Sequence, residues 1–314
     1  MNLFHKIQFY TLIILLFSAC SKEINSDEEI NSNENINNGD TYLDFYYDPD
    51  VYCQYPSLLV GGSSSLDLLT WNLEQFPSNG DTTASFISSI IDMLNMDVMV
   101  FQEIGSESAF NEIIEKSNKW ENIFSNEGSY SLAAIYNTQT VSIEENYKIL
   151  ETEANSVNSP FAWRAPQLIE IKWNNKEVIV INTHFKCCDG SEDRRREASA
   201  LLDEYIDNNH PNDKVILLGD LNDNLIDDDN VFEPFYNTNK YVFADYPLAS
   251  ACTSDNWSYP SYPSHIDHIL LSNEFYGYQF ECNVQNIEYY YFNSFNDYKL
   301  YISDHRPVAI KIEL

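Results

Sequence analysis

From Leu66 onward the chain alternates short apolar runs with amphipathic stretches. "LDLLTWNL" and "DVMVFQEI" are mostly apolar and of strand length, the pattern of buried strands. "TASFISSIIDML" instead places Phe86, Ile90 and Leu94 at helical spacing, and "SAFNEIIEKSN" and "EDRRREASALLDEYIDN" read as further helices. "SLAAIYN", "PQLIEIKW", "EVIVINTHF", "KVILLGDLN", "SHIDHILLS" and "YISDHRPVAIKIEL" read as strands, with an aromatic, loop-rich stretch over residues 224–263. Strands outnumber helices, and helices fall between them. The arrangement predicts an α/β fold: a four-layer sandwich of two packed mixed sheets with helices outside.

Polar residues collect where the apolar strands end. Asn72 and Glu74 follow "LLTW", Glu103 follows "VMVFQ", His184 follows "VIVINT", and Asp220 and Asn222 follow "VILLG". Asp267 sits in "SHIDHILL", and Asp304 and His305 follow "LYIS". A buried, unpaired carboxylate is costly, so these groups belong in a cleft, neutralised by a cation or by His and Arg. Ligand sites form at such strand ends. A turn or cap role would suffice for any one of them, but not for the whole set on separate strands.

Seven segments in order, "TWNLE", "VFQEI", "RAPQL", "INTHF", "GDLND", "HIDHI" and "SDHRP", resemble the signatures of the endonuclease/exonuclease/phosphatase superfamily, which includes pancreatic-type deoxyribonucleases and apurinic endonucleases. The resemblance runs from about Leu66 to the end and implies the same four-layer sandwich. It implies Glu103 as principal ligand of Mg2+ or Mn2+, with Asn72, Glu74 and Asp304 near the cation; such ions prefer oxygen donors. It further implies that Asp220 positions or deprotonates the attacking water and that Asn222 holds Asp220 and a phosphate oxygen. Asp267 would orient His305, and His184 would bond the phosphate or the leaving group. Arg164 of "RAPQL" would bind a phosphate oxygen with its forked donors. Tyr130 corresponds loosely to a phosphate-contacting tyrosine, with packing an equal reading. Arg306 carries no family role and is expected in a surface ion pair.

Charge narrows the function. The 314 residues hold 49 Asp and Glu against 17 Lys and Arg, a formal charge of -32. Such a field repels polyanions, so nucleic-acid binding is expected to be weak and cation-dependent. Arg194, Arg195 and Arg196 could draw phosphates toward the cleft, but helical ion pairs with Glu192, Asp193 and Glu197 are the favoured reading. "IDDDN" offers either a structural Ca2+ loop or, preferably, a solvated acidic loop. The expected activity is a metal-dependent phosphodiesterase, foremost an extracellular DNA or RNA endonuclease. A sphingomyelinase-like or phosphoinositide-phosphatase-like hydrolase and a non-catalytic surface binding protein are the alternatives.

The first residues carry Lys6, an apolar run from Ile7 to Phe17 and small residues before Cys20, the pattern of an export signal. "FSAC" resembles a bacterial lipobox, which would make Cys20 a lipid anchor to the membrane; an ordinary signal with a chance cysteine is the alternative. The expected division is a signal over 1–19, a flexible acidic tether over 20–57, and the catalytic domain over 58–314. The expected setting is the outer membrane or cell surface of a Gram-negative bacterium, with the protein a monomer. One or two disulfides are expected among Cys53, Cys187, Cys188, Cys252 and Cys282, with Cys187 and Cys188 bonding outward rather than to each other.

Overall fold

The computed structural model describes residues 57–115, 117–125, 130–236, 240–251 and 253–314. The expected signal, the lipid-bearing Cys20, the tether as far as residue 56, and Cys53 and Cys252 lie outside them.

The strands in chain order are β1 (Leu66–Phe76), β2 (Val98–Ile104), β3 (Trp120–Phe124), β4 (Ser131–Asn137), β5 (Val141–Lys148), β6 (Gln167–Trp173), β7 (Lys176–His184), β8 (Val215–Asp220), β9 (Tyr241–Phe243), β10 (Asp267–Ser272), β11 (Gln279–Val284) and β12 (Val308–Glu313). They form two six-stranded sheets, β11-β12-β1-β2-β4-β3 and β5-β6-β7-β8-β10-β9. Each sheet contains one parallel pair, β1 with β2 and β7 with β8. A parallel pair needs a crossover, and helices Asp81–Leu94 and Glu192–Asn209 supply the two.

Successive side chains on a strand face opposite ways, and this period builds the layers. On β1, Leu66 and Leu68 point between the sheets, where they join Val98, Val180, Ile216 and Leu218. Leu69 and Trp71 point outward to Ile87, Ile90, Leu94 and Phe110 of the covering helices. On the far side Ile181 and Leu217 meet Ala198, Leu202 and Ile206. The expected four-layer α/β sandwich is what forms.

The strand directions decide where the polar ends go. β1, β2, β7 and β8 finish at one edge of the sandwich, while β10 and β12 run opposite to their neighbours and start there. Asn72 is therefore level with Gln102, and His184 with Asp220, which in turn is level with Asp267. Gly219 lets β7 and β8 approach: a Cβ there would lie 1.8 Å from the Thr183 carbonyl oxygen.

One expectation needs correcting. "YIS" is not strand: a helix runs Phe295–Tyr301, residues 302–307 form a loop, and β12 begins at Val308. Ser294 caps that helix by accepting from the Asp297 amide, and Tyr298 and Ile302 pack at helical spacing into the outer core. Pro307, which has no N–H, falls just before the strand. Among the described residues, Cys187, Cys188 and Cys282 are free thiols, and the other expected partners, Cys53 and Cys252, lie outside them. Cys187 and Cys188 follow β7, whereas Cys282 lies on β11 of the other sheet.

Candidate active site

At the shared edge a cavity of about 740 Å3 opens among Glu74, Glu103, His184, Asp220, Asn222, Asp304 and His305. The backbone leaves regular geometry where these residues are presented. Glu74 and Glu103 have φ of 41° and 61°, and Asn222 has 55°. The ladder slips between Asn72 and Phe76 on β1 and between Phe101 and Ile104 on β2. Such bulges and left-handed residues cost free energy, and here they turn two carboxylates off the sheet edge into the cleft.

Hydrogen bonds tie the strand ends together. Buried Asn72 donates from Nδ2 to Asp220 Oδ2 at 2.9 Å and to Glu103 Oε1 at 3.4 Å, and its Oδ1 accepts from the Glu74 amide at 2.9 Å. The Gln75 amide donates to Glu103 Oε2 at 3.2 Å, and the Asp304 amide to Glu74 Oε2 at 3.0 Å. Asp220 Oδ1 accepts from the Asn222 amide at 3.0 Å, while the Asn222 side chain donates to the Phe185 carbonyl. Ser303 Oγ donates to the Asn72 carbonyl and accepts from the His305 amide, fixing the loop that carries Asp304 and His305.

His305 and His184 differ in charge because their surroundings differ. Burial alone would lower the His305 pKa, but Asp267 and Asp220 overcome it and hold the ring charged. Its Nδ1 donates to Asp267 Oδ2 at 2.8 Å, which leaves Nε2 3.8 Å from Asp220 Oδ2 and 3.9 Å from Asp304 Oδ1. The Tyr259 ring lies 4.7 Å from the imidazole. His184 is fully buried, and burial with the nearby charges of Arg164 and His305 pushes its pKa well down, so it is neutral. Its Nε2 lies 3.3 Å from Asp220 Oδ2. Burial raises the Asp220 carboxyl, with His305 opposing the shift and Asp267 adding to it.

The donors fit a hard divalent cation. Glu74, Glu103 and Asp304 open onto one cavity with Asn72 directly behind, and the Glu74 carboxyl is raised first by burial and then by the negative charge of Asp304. Nine carboxylates line the cavity with one guanidinium, Arg195, which is already committed to Asp223 at 2.7 Å and Glu192 at 3.1 Å. Crowded carboxylate oxygens without free ammonium groups favour an oxygen-seeking ion.

The profile of the Endonuclease/Exonuclease/phosphatase family matches residues 69–305. The chain belongs to this family. Its members are hydrolases of phosphoester bonds and depend on divalent metal. No curated protein matches the chain in sequence. Among solved structures, humanized D. rerio TDP2 superposes with a TM-score of 0.62 at 12% identity, covering 80% of this chain and 99% of that one. A Bacteroides vulgatus endonuclease/exonuclease/phosphatase gives 0.60 at 15%, covering 80% and 99%. The Bacteroides thetaiotaomicron mannosyl-6-phosphatase Bt3783 gives 0.57 at 19%, covering 79% and 99%. At these identities the superpositions establish the fold of this family member.

Nine of the ten residues singled out from the sequence meet around this edge: Asn72, Glu74, Glu103, His184, Asp220, Asn222, Asp267, Asp304 and His305. Arg164 stands behind them. Its Nη2 donates to the Phe185 carbonyl at 3.4 Å, burial lowers its pKa, and the charges of Glu103 and Asp220 oppose that shift. Tyr130 is exposed and donates to Gln75 Oε1 at 3.3 Å, beside the cavity rather than in the core. Arg306 is not in a surface pair. It is buried, pairs with buried Glu288, and donates to the carbonyls of Ser254 and Trp257, because the helix ahead of it carries the loop inward. The arginine run behaves largely as helix chemistry: Arg196 pairs with Asp193 and with Asp229 of the acidic loop, and Arg194 donates to the Ser159 carbonyl. Sequence reasoning missed Tyr259, whose only signal was its place in an aromatic loop. It also missed the buried amide chain of Gln102, Asn182 and Gln167, which joins the two sheets under the site.

Proposed function

We propose that the chain hydrolyses phosphoesters with an activated water. The arrangement that carries this reading is a line of polar side chains across the strand ends: His305 is hydrogen-bonded to Asp267 and lies 3.8 Å from Asp220, and Asn72 hydrogen-bonds Asp220 and Glu103. Glu103, with Glu74, Asp304 and the Asn72 oxygen, would hold Mg2+ or Mn2+, which when bound supplies charge neutralisation at the phosphoryl and leaving oxygens. Asp220, held by Asn72 and the Asn222 amide, accepts the proton of the attacking water. The His305 imidazolium, oriented by Asp267, faces the cleft with Nε2 and offsets the charge that grows on the phosphoryl oxygens. Neutral His184 and Arg164 support the far side of Asp220.

For the substrate, the first reading is a nuclease acting on DNA or RNA outside the cell. The D. rerio TDP2 structure complexed with a single-strand DNA product supports it. The nine carboxylates around the cavity favour a second reading, a small phosphorylated sugar or similar polyol. Carboxylates accept hydrogen bonds from hydroxyls but repel a polyanion. The mannosyl-6-phosphatase among the structural neighbours points the same way. Plasmid DNA, RNA, sphingomyelin, bis-p-nitrophenyl phosphate and mannose 6-phosphate, each with Mg2+, Mn2+ or EDTA, separate the readings. Cleavage of none of them with any cation would leave only the non-catalytic binding role. Export and lipid attachment at Cys20 belong to the same proposal; incorporation of a labelled fatty acid that persists in Cys20→Ala would refute the anchor.

A further inference from the structure

We propose that Asp245, His265 and His268 form a structural binding site for a borderline transition-metal ion, zinc foremost, separate from the catalytic cation. The three side chains are 0%, 3% and 0% exposed. Asp245 Oδ1 accepts from the Ile269 amide at 2.9 Å, which aims Oδ2 at both rings: 3.0 Å from His265 Nε2 and 2.6 Å from His268 Nδ1. The outer nitrogens are taken. His265 Nδ1 donates to the Asn256 carbonyl at 2.6 Å, and His268 Nε2 to the Asp223 carbonyl at 2.8 Å. A carbonyl can only accept, so each outer nitrogen carries the hydrogen.

In two neutral imidazoles the inner nitrogens then present lone pairs, both directed at a carboxylate oxygen that also has only lone pairs. Something positive must lie between them. Two added protons would create two imidazolium rings with centroids 5.2 Å apart sharing one oxygen in a dry core. One divalent ion carries the same charge and bonds all three atoms. An outer ring N–H donated to a backbone carbonyl is the support that metal-ligating histidines use to fix their tautomer, and here both histidines have it. Two imidazoles and one carboxylate suit zinc. Zinc bonds of about 2.0–2.2 Å set tetrahedral neighbours roughly 3.4 Å apart, so the His265 ring needs to withdraw from Oδ2 by about 0.4 Å and the His268 ring by about 0.8 Å. The three ligand atoms already lie within 4.8 Å of one another.

The placement gives the site a task. Asp245 and His265 bracket the long loop that presents Ser258 and Tyr259. Ser258 Oγ accepts from the Asp267 amide at 3.1 Å, and Tyr259 stacks on His305. His265 and His268 also flank Asp267 in sequence. A metal here clips a long loop against the strand that orients the catalytic histidine, where closure of a flexible segment contributes most.

The test is the metal content of the full chain purified without chelator, read by mass spectrometry. One equivalent of zinc is expected to survive dialysis, to persist in Glu103→Gln and in the Cys187→Ser, Cys188→Ser double variant, and to vanish in the His265→Asn, His268→Asn double variant. Should that last variant not fold, Co2+ exchanged into the Glu103→Gln chain is expected to show visible bands of a tetrahedral nitrogen and oxygen site without thiolate absorption. Absence of stoichiometric metal from the wild type, zinc lost with Glu103 or with the cysteines, or an octahedral cobalt spectrum would each overturn the proposal.

Discussion

Replacing Asp267 by Asn tests the site at its least exposed point. Asp267 is 0% exposed and His305 6%, and their 2.8 Å hydrogen bond joins a carboxylate to a charged ring. Asn keeps the shape and removes the charge. If its carbonyl oxygen takes the place of Oδ2, its NH2 occupies the position of Oδ1, which has no hydrogen-bond partner in the protein. The variant therefore loses the charge that holds the imidazolium and buries a donor without an acceptor. A hydrogen bond to a charged group contributes about 1.5–3 kcal/mol, which corresponds to a fall in kcat of roughly 10- to 150-fold. KM should change little, because Asp267 acts through His305 rather than on substrate. The Asp267 charge helps raise the His305 pKa, so without it the ring loses its proton at lower pH and the alkaline limb of the rate profile shifts downward. The assay is steady-state hydrolysis of bis-p-nitrophenyl phosphate with saturating Mn2+ across pH, alongside a thermal melt. A folded Asp267→Asn with kcat within threefold of wild type and an unmoved alkaline limb would refute the dyad.

Asp220→Ala and His305→Ala are expected to lose nearly all turnover while melting cooperatively, and EDTA should abolish wild-type activity until Mg2+ or Mn2+ is restored; near-normal turnover in either variant would cancel its assigned role. Gly219→Ala should cost more than about 3 kcal/mol or prevent folding, because its Cβ would lie 1.8 Å from the Thr183 oxygen; soluble expression with an unchanged melt would contradict that close approach. Burial pushes the Asp97 carboxyl up to about 6 from an ordinary 3.8, against hydrogen bonds that include one from the Asp67 amide. A pKa raised on folding gives stability that is complete below the unfolded value and lost as pH rises through the folded one. Relative to wild type, Asp97→Asn should therefore gain up to about 3 kcal/mol between pH 4 and pH 7, measured by urea denaturation; a constant difference over that range would count against it.

Much of the architecture was legible in the residues. β1 and β2 are rich in large apolar residues because they are buried along nearly their whole length, and the helices between parallel strands announce themselves by spacing. The polar residues at strand ends were equally plain, since turn or cap roles could account for any one of them but not for the whole set on separate strands. The C-terminal stretch misled. Tyr301 and Ile302 are apolar and adjoin a true strand, yet Ser294 caps a helix through Tyr301 and the chain reaches β12 only after Pro307. Arg306 misled for the same reason, because a residue assigned to a strand end became part of a buried loop beside Glu288.

Hydrophobic period is local information, carried by neighbours within a turn or a pleat, and so the chain alone determined its layers and the kinds of residue at their edge. Register, bulges and side-chain partners depend on groups far apart in sequence. Asn72 meets Asp220 across 148 positions, and Asp267 meets His305 across 38. Tertiary packing alone decided those meetings, the left-handed turns that aim Glu74 and Glu103, and the closing of Asp245 on two histidines, because each exists only once the sheets have stacked and their strands have taken one direction and one register.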